Sequence, residues 1–486
     1  MTSEGLRMEP SVAIIGAGFA GLCMAIHLEK AGIRSYTIFE RGSDVGGTWR
    51  DNTYPGAGCD IPSHLYSFSF EKYSSWTCRY PGQSEILGYL RMCADKYSLR
   101  PRIRLNTEVT AAAFDETLGR WRVRTRDGEQ LFDVLVTGMG QLSRPRLPDI
   151  PGMSDFAGVA FHSARWDHSQ DLSGRRVAVV GNGSSAAQLI PRIAEVAERV
   201  DVFQRTPNWV LPKPDATFGE VTGTAFRYLP FLQRAYREWL LRYTEIVAHP
   251  VLTDGWSAPL ARRRALNHLR AQVPDPRLRA KLTPGYPIGC RRIIVDSEFY
   301  PALSRPNVNV VTDEIVRIAP EGVVTTEGLH PADVIVYATG FLAADFLAPV
   351  EITGRRRRRL RQEWEGGAQA YLGIAVPHFP NLFMLYGPNT NLGHTSVVFM
   401  IECQVRYVMG CLPYLAERGP MEVTPEAMRA WRLRLGRAME STVWRAGCTS
   451  WYTDATGRVT GNWPATVALY RRITRAPRPA AFRFSR

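Results

Sequence analysis

Two glycine-rich turns, GAGFAG at residues 16–21 and GNGSSA at residues 181–186, have the residue types and spacing of phosphate-binding sites. Each follows an apolar, β-branched run typical of a buried parallel strand, Val12–Ile15 for the first turn and Val177–Val180 for the second. Each also precedes a plausible helix. Glycines let the backbone approach a pyrophosphate closely, and a helix N-terminus offers it unpaired N–H groups. The pattern therefore predicts two dinucleotide-binding units.

The residue placed to read the ribose differs between the two units. Glu40 lies 24 positions after Gly16, and Arg205 lies 24 positions after Gly181. An acid at about this distance accepts hydrogen bonds from ribose hydroxyls, whereas an arginine suits a 2′-phosphate. The two units thus predict one nucleotide with a free ribose, such as FAD, and NADPH as the second.

Eight positions in the two turns are predicted to contact these nucleotides. They are Gly16, Gly18, Phe19 and Gly21 in the first turn, and Gly181, Gly183, Ser184 and Ser185 in the second. Ala186 ends the second motif in place of glycine, which is tolerated because that position needs only a small side chain. For either turn alone, a purely structural turn is a serious alternative, but two turns with equal spacing argue against it.

The composition limits the class of protein. Hydrophobic residues make up 45% of the 486 residues, which is ordinary for a globular chain with two or three domains. No apolar run approaches the ~20 residues of a membrane helix, and the polar first ten residues do not resemble a signal peptide. The eight cysteines form no C-x-x-C pair and no zinc-type group with histidine. We therefore expect free thiols, no metal site, no membrane partner and a cytoplasmic location.

The net charge of +14 raises the question of nucleic acid binding. However, the arginines are spread along the chain, and the one dense block, Arg355–Arg359, is interpreted as a solvated loop. Neither an aromatic-interleaved basic stripe nor a nucleic-acid-binding motif accompanies it. No nucleic acid partner is expected, although attraction to an anionic cofactor remains open. The oligomeric state is not predicted.

The order of segments predicts an α/β fold with two Rossmann-like dinucleotide-binding domains and a helical insertion. The predicted division is 1–142 and 341–486 for FAD, 153–213 and 287–340 for NADPH, and 214–286 for a helical insertion in the NADPH domain. Beyond the first strand of each unit, strands are predicted at 36–39, 200–203, 308–311 and 334–337, and helices at 20–31 and 184–196. The proline-rich stretch 141–152 is predicted to be a linker.

Residues 156–167, FAGVAFHSARWD, match the pattern F-x-G-x-x-x-H-x-x-x-W-[PD]. In this motif the chain resembles the type I Baeyer–Villiger monooxygenases, which are FAD- and NADPH-dependent flavoproteins; Ser163 departs mildly from their usual threonine. Further stretches that resemble the family are 45–49, 54–60, 204–207, 291–292 and 386–394. The resemblance covers about residues 11–475, and it implies that His162 couples nicotinamide binding to domain movement without acting as an acid or base.

The resemblance implies that NADPH reduces FAD, that O₂ then forms a C4a-peroxyflavin, and that this species attacks a small-molecule ketone to give an ester or lactone. Such a site needs a fixed cation, and arginine is suitable because it stays protonated and donates from a rigid fork. Arg292 matches the family's catalytic arginine and Asp60 the acid that orients it. Arg291 matches a contact to the NADP phosphate. The alternative is that Arg292 and Asp60 form a surface ion pair, but the neighbouring residues on both sides also match the family, which argues against this alternative.

Other positions receive roles through the same resemblance. In the FAD site, Glu40 is expected to bind the ribose, and four further residues are expected to contact FAD, namely Thr48, Trp49, Tyr66 and Val109. In the NADP site, Arg205 and Thr206 are expected to bind the 2′-phosphate, and Trp451 is expected to cover the nucleotide. Val397 is expected to line the substrate pocket. Core packing is a strong alternative for Trp49 and Tyr66, and surface or core packing is an equal alternative for Trp451 and Val397.

Three other functions are weighed. The nearest is a flavin monooxygenase that oxidises nitrogen or sulfur in a small molecule, against which Arg292 and the long motif argue. The second is a pyridine nucleotide–disulfide reductase, but that class needs a closely spaced redox cysteine pair, which this sequence lacks. The third is a non-enzymatic binding protein derived from a flavoprotein, and the two intact glycine turns argue against it.

Overall fold

The computed structural model describes residues 9–448, 450–454 and 456–485. Its strands, in chain order, are β1 (Val12–Ile15), β2 (Tyr36–Phe39), β3 (Ile103–Arg104), β4 (Val109–Asp115), β5 (Arg120–Thr125), β6 (Gly128–Phe132), β7 (Val134–Thr137), β8 (Val159–His162), β9 (Arg176–Val180), β10 (Arg199–Phe203), β11 (Val210–Leu211), β12 (Ile294–Val295), β13 (Val308–Val311), β14 (Ile315–Ala319), β15 (Gly322–Thr325), β16 (Gly328–Pro331), β17 (Val334–Tyr337), β18 (Glu351–Thr353), β19 (Leu382–Met384), β20 (Met421–Val423) and β21 (Phe482–Phe484).

The α-helices connect and flank these strands. They are α1 (Phe19–Lys30), α2 (Thr48–Asp51), α3 (Gln83–Lys96), α4 (Ser184–Val196), α5 (Glu220–Tyr228), α6 (Pro230–Tyr243), α7 (Ala258–Gln272), α8 (Pro276–Lys281), α9 (Phe299–Leu303), α10 (Leu360–Glu363), α11 (Val397–Arg418), α12 (Pro425–Glu440) and α13 (Val467–Ile473). Among the described residues, none of these helices combines the length and apolar character needed to cross a bilayer.

The first parallel sheet has the strand order β19-β7-β1-β2-β3. Strands β1 and β7 are buried along their whole length, as expected for parallel strands covered on both faces. Helix α1 crosses from β1 to β2 and packs in the same core as α11. Strand β19 comes from late in the chain and pairs with β7. The C-terminal part of the chain therefore completes the sheet that its N-terminal part begins.

The second parallel sheet has the order β13-β10-β9-β17-β8. Its edge strand β8 belongs to the 156–167 motif and pairs with β17. Buried His162 ends this strand; its Nδ1 accepts a hydrogen bond from the Ala164 N–H, and its Nε2 lies 3.0 Å from the Gly340 carbonyl oxygen. Burial lowers the pKa of His162, so the ring is a neutral cross-link. The motif is therefore part of the second sheet as well as of the connection between sheets.

A helical segment lies between β11 and β12, which pair in parallel. It contains α5 to α8 and a π-helical turn, Thr244–Ala248. The segment packs back on the first unit, where Arg237 donates a hydrogen bond to the Ser67 carbonyl oxygen. Because β11 and β12 are paired, the chain re-enters the second unit at a defined point, two residues after Arg292.

The predicted α/β fold with two Rossmann-like sheets is confirmed. The strands predicted at 12–15, 36–39, 308–311 and 334–337 have these bounds, and those at 177–180 and 200–203 begin one residue earlier. Helix α4 matches its predicted range, and α1 begins and ends one residue before the predicted 20–31. Apolar runs next to glycine turns thus located both βαβ units closely.

The expectation that every cysteine is a free thiol is wrong. Cys290 and Cys448 form a disulfide with a Cα–Cα distance of 6.0 Å, although they are 158 positions apart in sequence. Local C-x-x-C spacing cannot reveal such a pair, because only the tertiary fold brings the two residues together. The free cysteines are Cys23, Cys59, Cys78, Cys93, Cys403 and Cys411.

Gly21 is the position in the first turn with the least room for a side chain. A Cβ built on Gly21 would lie 1.8 Å from the Gly16 carbonyl oxygen, so the turn would have to open. We expect Gly21→Ala to lower the free energy of unfolding by about 1–3 kcal/mol, measured by urea denaturation. The control is Gly88→Ala in α3, where a Cβ meets no atom within 4 Å, and a gain of about 0.5–1 kcal/mol is expected. Equal stabilities for the two variants would contradict this packing.

Candidate functional site

A cavity follows the first glycine turn at the C-terminal end of β1. Nine residues that the sequence assigns to FAD or substrate line it, namely Gly16, Gly18, Phe19, Glu40, Thr48, Trp49, Tyr66, Val109 and Val397. Gly21 packs beneath the turn, where its backbone lies against Gly16. The fold therefore gathers residues from distant parts of the chain around one elongated space.

The wall of this cavity at the turn consists of converging backbone. Gly16 has φ +99°, and a Cβ there would lie 2.7 Å from the Gly138 carbonyl oxygen. A Cβ on Gly18 would reach Gly47 at 3.8 Å. Helix α1 begins at Phe19, and its N-cap residue Gly18 has no side chain to cap it, so its first N–H groups remain available to an anionic ligand. The turn has the shape and the donors that a pyrophosphate requires.

Glu40 is buried at the end of β2, where its carboxylate is held from three sides. Oε2 accepts the Ala17 N–H at 2.8 Å, while Oε1 accepts the Gly42 N–H at 2.8 Å and Nη1 of Arg50 at 2.7 Å. A carboxylate offers about four acceptor sites, so capacity for a ribose hydroxyl remains. The carboxylate is thus fixed in place beside the glycine turn.

Two aromatic side chains close the far part of the cavity. Trp49 donates from Nε1 to the Tyr66 hydroxyl at 3.2 Å, and the two rings meet edge to face. Phe19 packs on Tyr66 with ring centroids 5.0 Å apart. Burial raises the pKa of Tyr66, so its hydroxyl stays protonated. These rings form an apolar, uncharged wall suited to a flat heterocycle.

The second turn has similar features. Gly181 has φ +116°, and a Cβ there would lie 2.4 Å from the Ala338 carbonyl oxygen. Helix α4 begins at Ser184 after Gly183 and likewise has no side-chain cap. The Ser185 hydroxyl lies 3.4 Å from the Tyr54 hydroxyl oxygen, to which it can donate. This helix N-terminus can therefore also bind a phosphate group.

Cationic side chains surround the end of this unit. Arg205 is exposed after β10, and Asn182 donates to the Thr206 carbonyl oxygen at 2.9 Å, which fixes this stretch beside the turn. Arg291 lies over the Tyr286 ring, 5.1 Å from its centroid. Its Nε is buried, with no hydrogen-bond partner among the described residues. Both arginines remain able to bind an anion.

Arg292 and Asp60, 232 positions apart in sequence, form a tight ion pair between the two units. Nη2 of Arg292 lies 2.6 Å from Oδ1 and 2.7 Å from Oδ2 of Asp60, and Nε lies 3.1 Å from Oδ2. The side chains are 26% and 17% exposed, respectively. The Asp60 carboxylate raises the pKa of Arg292, so the guanidinium is a permanent cation. The predicted proximity of these two residues is therefore present in the structure.

A loop clamped onto α4 brings Asp60 to this position. The Tyr54 hydroxyl donates to Oε1 of Gln188 at 2.8 Å, and Nε2 of Gln188 donates to the Gly58 carbonyl oxygen at 2.9 Å. A Cβ on Gly56 would lie 2.3 Å from the Gln188 carbonyl oxygen. These contacts explain why a glycine-rich loop of the first unit reaches the second.

Two tyrosines that the sequence did not single out also neighbour Arg292. Tyr386 donates to Oδ1 of Asn391 at 2.6 Å and adopts φ +61°, a strained conformation for a tyrosine. Tyr452 is 2% exposed, and burial raises its pKa to about 12 although Arg292 opposes the shift. Tyr386 also lines the first cavity. It therefore links the cavity to the ion pair.

The sequence contained a partial signal for these tyrosines. Tyr386 begins the stretch 386–394, and Tyr452 follows Trp451 directly. The Trp451 ring packs against Tyr452 with centroids 4.5 Å apart, which places Trp451 near the ion pair and outside the lining of the first cavity. Val397, in contrast, begins α11 and lies in that lining.

Comparisons with known proteins agree with this arrangement. Residues 9–218 match the family described as flavin-binding monooxygenase-like. A Baeyer–Villiger monooxygenase of Streptomyces coelicolor is 42% identical, over 97% of this chain and 92% of the relative. Another from Pseudomonas aeruginosa is 41% identical, over 96% of this chain and 89% of the relative.

Solved structures are similar over almost the whole chain. An oxidized steroid monooxygenase bound to NADP has a TM-score of 0.87 and 33% identity, and a closed cyclohexanone monooxygenase has a TM-score of 0.87 and 28% identity. A structure described as the OTEMO complex with FAD and NADP has a TM-score of 0.87 and 28% identity. Each covers 98% of this chain and 99% of the other chain.

The Asp60–Arg292 pair can be tested by a double-mutant cycle. We expect Asp60→Ala, Arg292→Ala and the double variant to give a coupling energy of about 1–3 kcal/mol in urea unfolding, because the pair is half-buried and bidentate. The exposed pair Glu238 and Arg242 on α6, 3.1 Å apart, is the control, with an expected coupling of about 0.5 kcal/mol or less. A coupling energy no larger than that of the control would refute the assigned strength.

Proposed function

This chain belongs to the Baeyer–Villiger monooxygenase family and is a flavoprotein monooxygenase that uses FAD and NADP; on that premise we propose that it inserts one oxygen atom of O₂ into a C–C bond of a small-molecule ketone. The product is an ester or lactone, and NADPH is the electron donor. The observation that carries the proposal is Arg292, a permanent cation held bidentately by Asp60.

We assign residues 1–142 and 341–486 to the FAD domain, with the first turn as the pyrophosphate site. The uncapped N-terminus of α1 binds the phosphates, and Glu40 accepts from the ribose. Thr48, Trp49, Tyr66 and Val109 contact the flavin in the cavity they line. When bound there, FAD supplies hydride acceptance and O₂ activation.

The NADP domain consists of residues 153–213 and 287–340, with residues 214–286 as its helical insertion. The second turn, with Gly183, Ser184 and Ser185, binds the pyrophosphate at the N-terminus of α4. Arg205 and Thr206 bind the 2′-phosphate, and the unpartnered Nε of Arg291 provides a further donor. Trp451 covers the bound nucleotide near the ion pair.

Arg292 stabilises the negative charge that develops on the ketone oxygen. A guanidinium in a partly desolvated site acts more strongly than it would in water. Asp60 prevents the fork from rotating, while the packed Tyr386 and Tyr452 limit the access of water. Val397 forms part of the substrate surface.

Arg292→Ala should abolish ester formation while the flavin is still reduced by NADPH, because the cation acts after reduction. Flavin absorbance in anaerobic stopped flow measures reduction, and gas chromatography after incubation with a ketone panel measures the ester. Arg242→Ala, on the exposed face of α6, is the control. Oxidation of sulfides or amines with no ester from any ketone would instead indicate a heteroatom monooxygenase, and a normal ester yield from Arg292→Ala would refute the catalytic role.

Arg205→Ala should raise KM for NADPH far more than KM for NADH. Loss of a charged phosphate contact costs about 1.5–3 kcal/mol, or roughly 10- to 100-fold in KM. Steady-state kinetics with both nucleotides measure this ratio, and exposed Arg175 in the same unit provides the control substitution to alanine. An unchanged preference for NADPH would exclude Arg205 as the 2′-phosphate contact.

A further inference from the structure

A disulfide lies next to Arg292 in sequence and ties its loop to the segment around Tyr452. Cys290 precedes Arg292 by two residues, and its partner Cys448 precedes Tyr452 by four. We call residues 443–448 and 450–452 the cover segment, because it contains Tyr452, which packs beside Arg292. Cys290 is 1% exposed, so the bond lies inside this contact.

Among the residues that the structure describes, a hydrogen bond and close packing also join this loop to the cover segment. Nε1 of Trp444 donates to the Gly289 carbonyl oxygen at 3.2 Å. A Cβ on Gly289 would lie 3.5 Å from Cγ2 of Val443 and 3.3 Å from the Val251 carbonyl oxygen, so the backbones pack closely. One hydrogen bond and van der Waals packing permit small displacements that a covalent bond restricts.

We propose that the Cys290–Cys448 disulfide is a positioning element for Arg292, and that opening it uncouples NADPH consumption from oxygen transfer. The proposal rests on the proposed function of Arg292. Stabilisation by a guanidinium depends on its distance to the reacting oxygen, and a shift of about 1 Å can cost on the order of 100-fold in rate. Neither glycine turn includes these cysteines, so FAD stays bound, and saturating NADPH compensates for any change at Arg291 and Trp451, which flank the bond.

The bond can open and close by two-electron chemistry. Reduction by a dithiol adds two electrons and two protons to the disulfide, which gives two thiols, while the dithiol becomes a cyclic disulfide. In the reverse direction hydrogen peroxide accepts two electrons and the two thiol hydrogens and becomes two waters. A flavin monooxygenase releases hydrogen peroxide when reduced flavin meets O₂ without oxygen transfer to substrate. Uncoupled turnover therefore supplies the oxidant that closes the bond again.

The test uses the FAD-loaded protein in oxidised form, in dithiothreitol-reduced and desalted form, and as the C290S/C448S variant. Titration of thiols in denaturant should give six in the oxidised wild type and all eight after reduction. Assayed with catalase and saturating NADPH, ester formed per NADPH consumed should fall several-fold on reduction and in the variant, whereas NADPH still reduces the flavin. Hydrogen peroxide should restore the ratio in the wild type and have no effect on the variant. C78S, at a half-buried free cysteine, should respond to the reductant as the wild type does.

Hydrogen exchange measured on the same samples requires no turnover. Peptides that contain residues 289–292 and 443–448 should exchange faster after reduction, while those of α4 should not change. Eight thiols after peroxide treatment, or equal ester ratios in oxidised and reduced protein, would overturn the proposal. If no form of the protein makes ester from any ketone, the proposed function fails. The exchange measurement still tests the disulfide in that case, because equal exchange of these peptides in both redox states would show that the bond does not position Arg292.

Discussion

The ion pair between Asp60 and Arg292 is the interaction on which the site depends. A half-buried guanidinium is costly unless a carboxylate compensates it, and this carboxylate comes from the other unit of the chain. The pair therefore forms only when the two parallel sheets have one relative placement. The clamp of Gln188 on the Asp60 loop and the pairing of β11 with β12 both serve this placement, because each fixes one partner of the pair.

Charge is distributed around this pair in a way that suits anionic ligands. The N-cap residues of α1 and α4 are Gly18 and Gly183, which have no side chain to cap the helix, whereas side chains cap α8, α11, α12 and α13, namely those of Asp275, Ser396, Thr424 and Thr466. Uncapped N–H groups cost stability unless a ligand or water satisfies them. Other helices, such as α3 and α5, also lack a side-chain cap, but α1 and α4 are the ones that directly follow the two glycine turns, so their backbone donors stay open to phosphates there.

Much of this organisation could be predicted from local sequence. Short apolar runs and fixed spacing predict both glycine turns and their flanking strands. The pairing of Asp60 with Arg292 is predicted from neighbouring residues that resemble those of the family. The disulfide, the edge strand β8 and the clamp at Gln188 could not be predicted, because each depends on contacts between residues far apart in the chain. Two nearer features also had no sequence signal, namely Arg50, which occupies one acceptor position of Glu40, and the strained backbone of Tyr386.

The positive charge of Arg292 is insensitive to pH over the range in which proteins are stable. Arginine stays protonated throughout, and Asp60 reinforces this. The pKa of Tyr452 is raised to about 12 and that of Tyr386 is also raised, because both phenols are buried and burial disfavours the phenolate. Three neighbouring groups thus keep one cation and two neutral hydroxyls from acid to mildly basic solution. In such a site the position of the Arg292 guanidinium, and not a change in its charge, controls oxygen transfer. The contacts that anchor the Arg292 loop are therefore as important as the charge of the side chain.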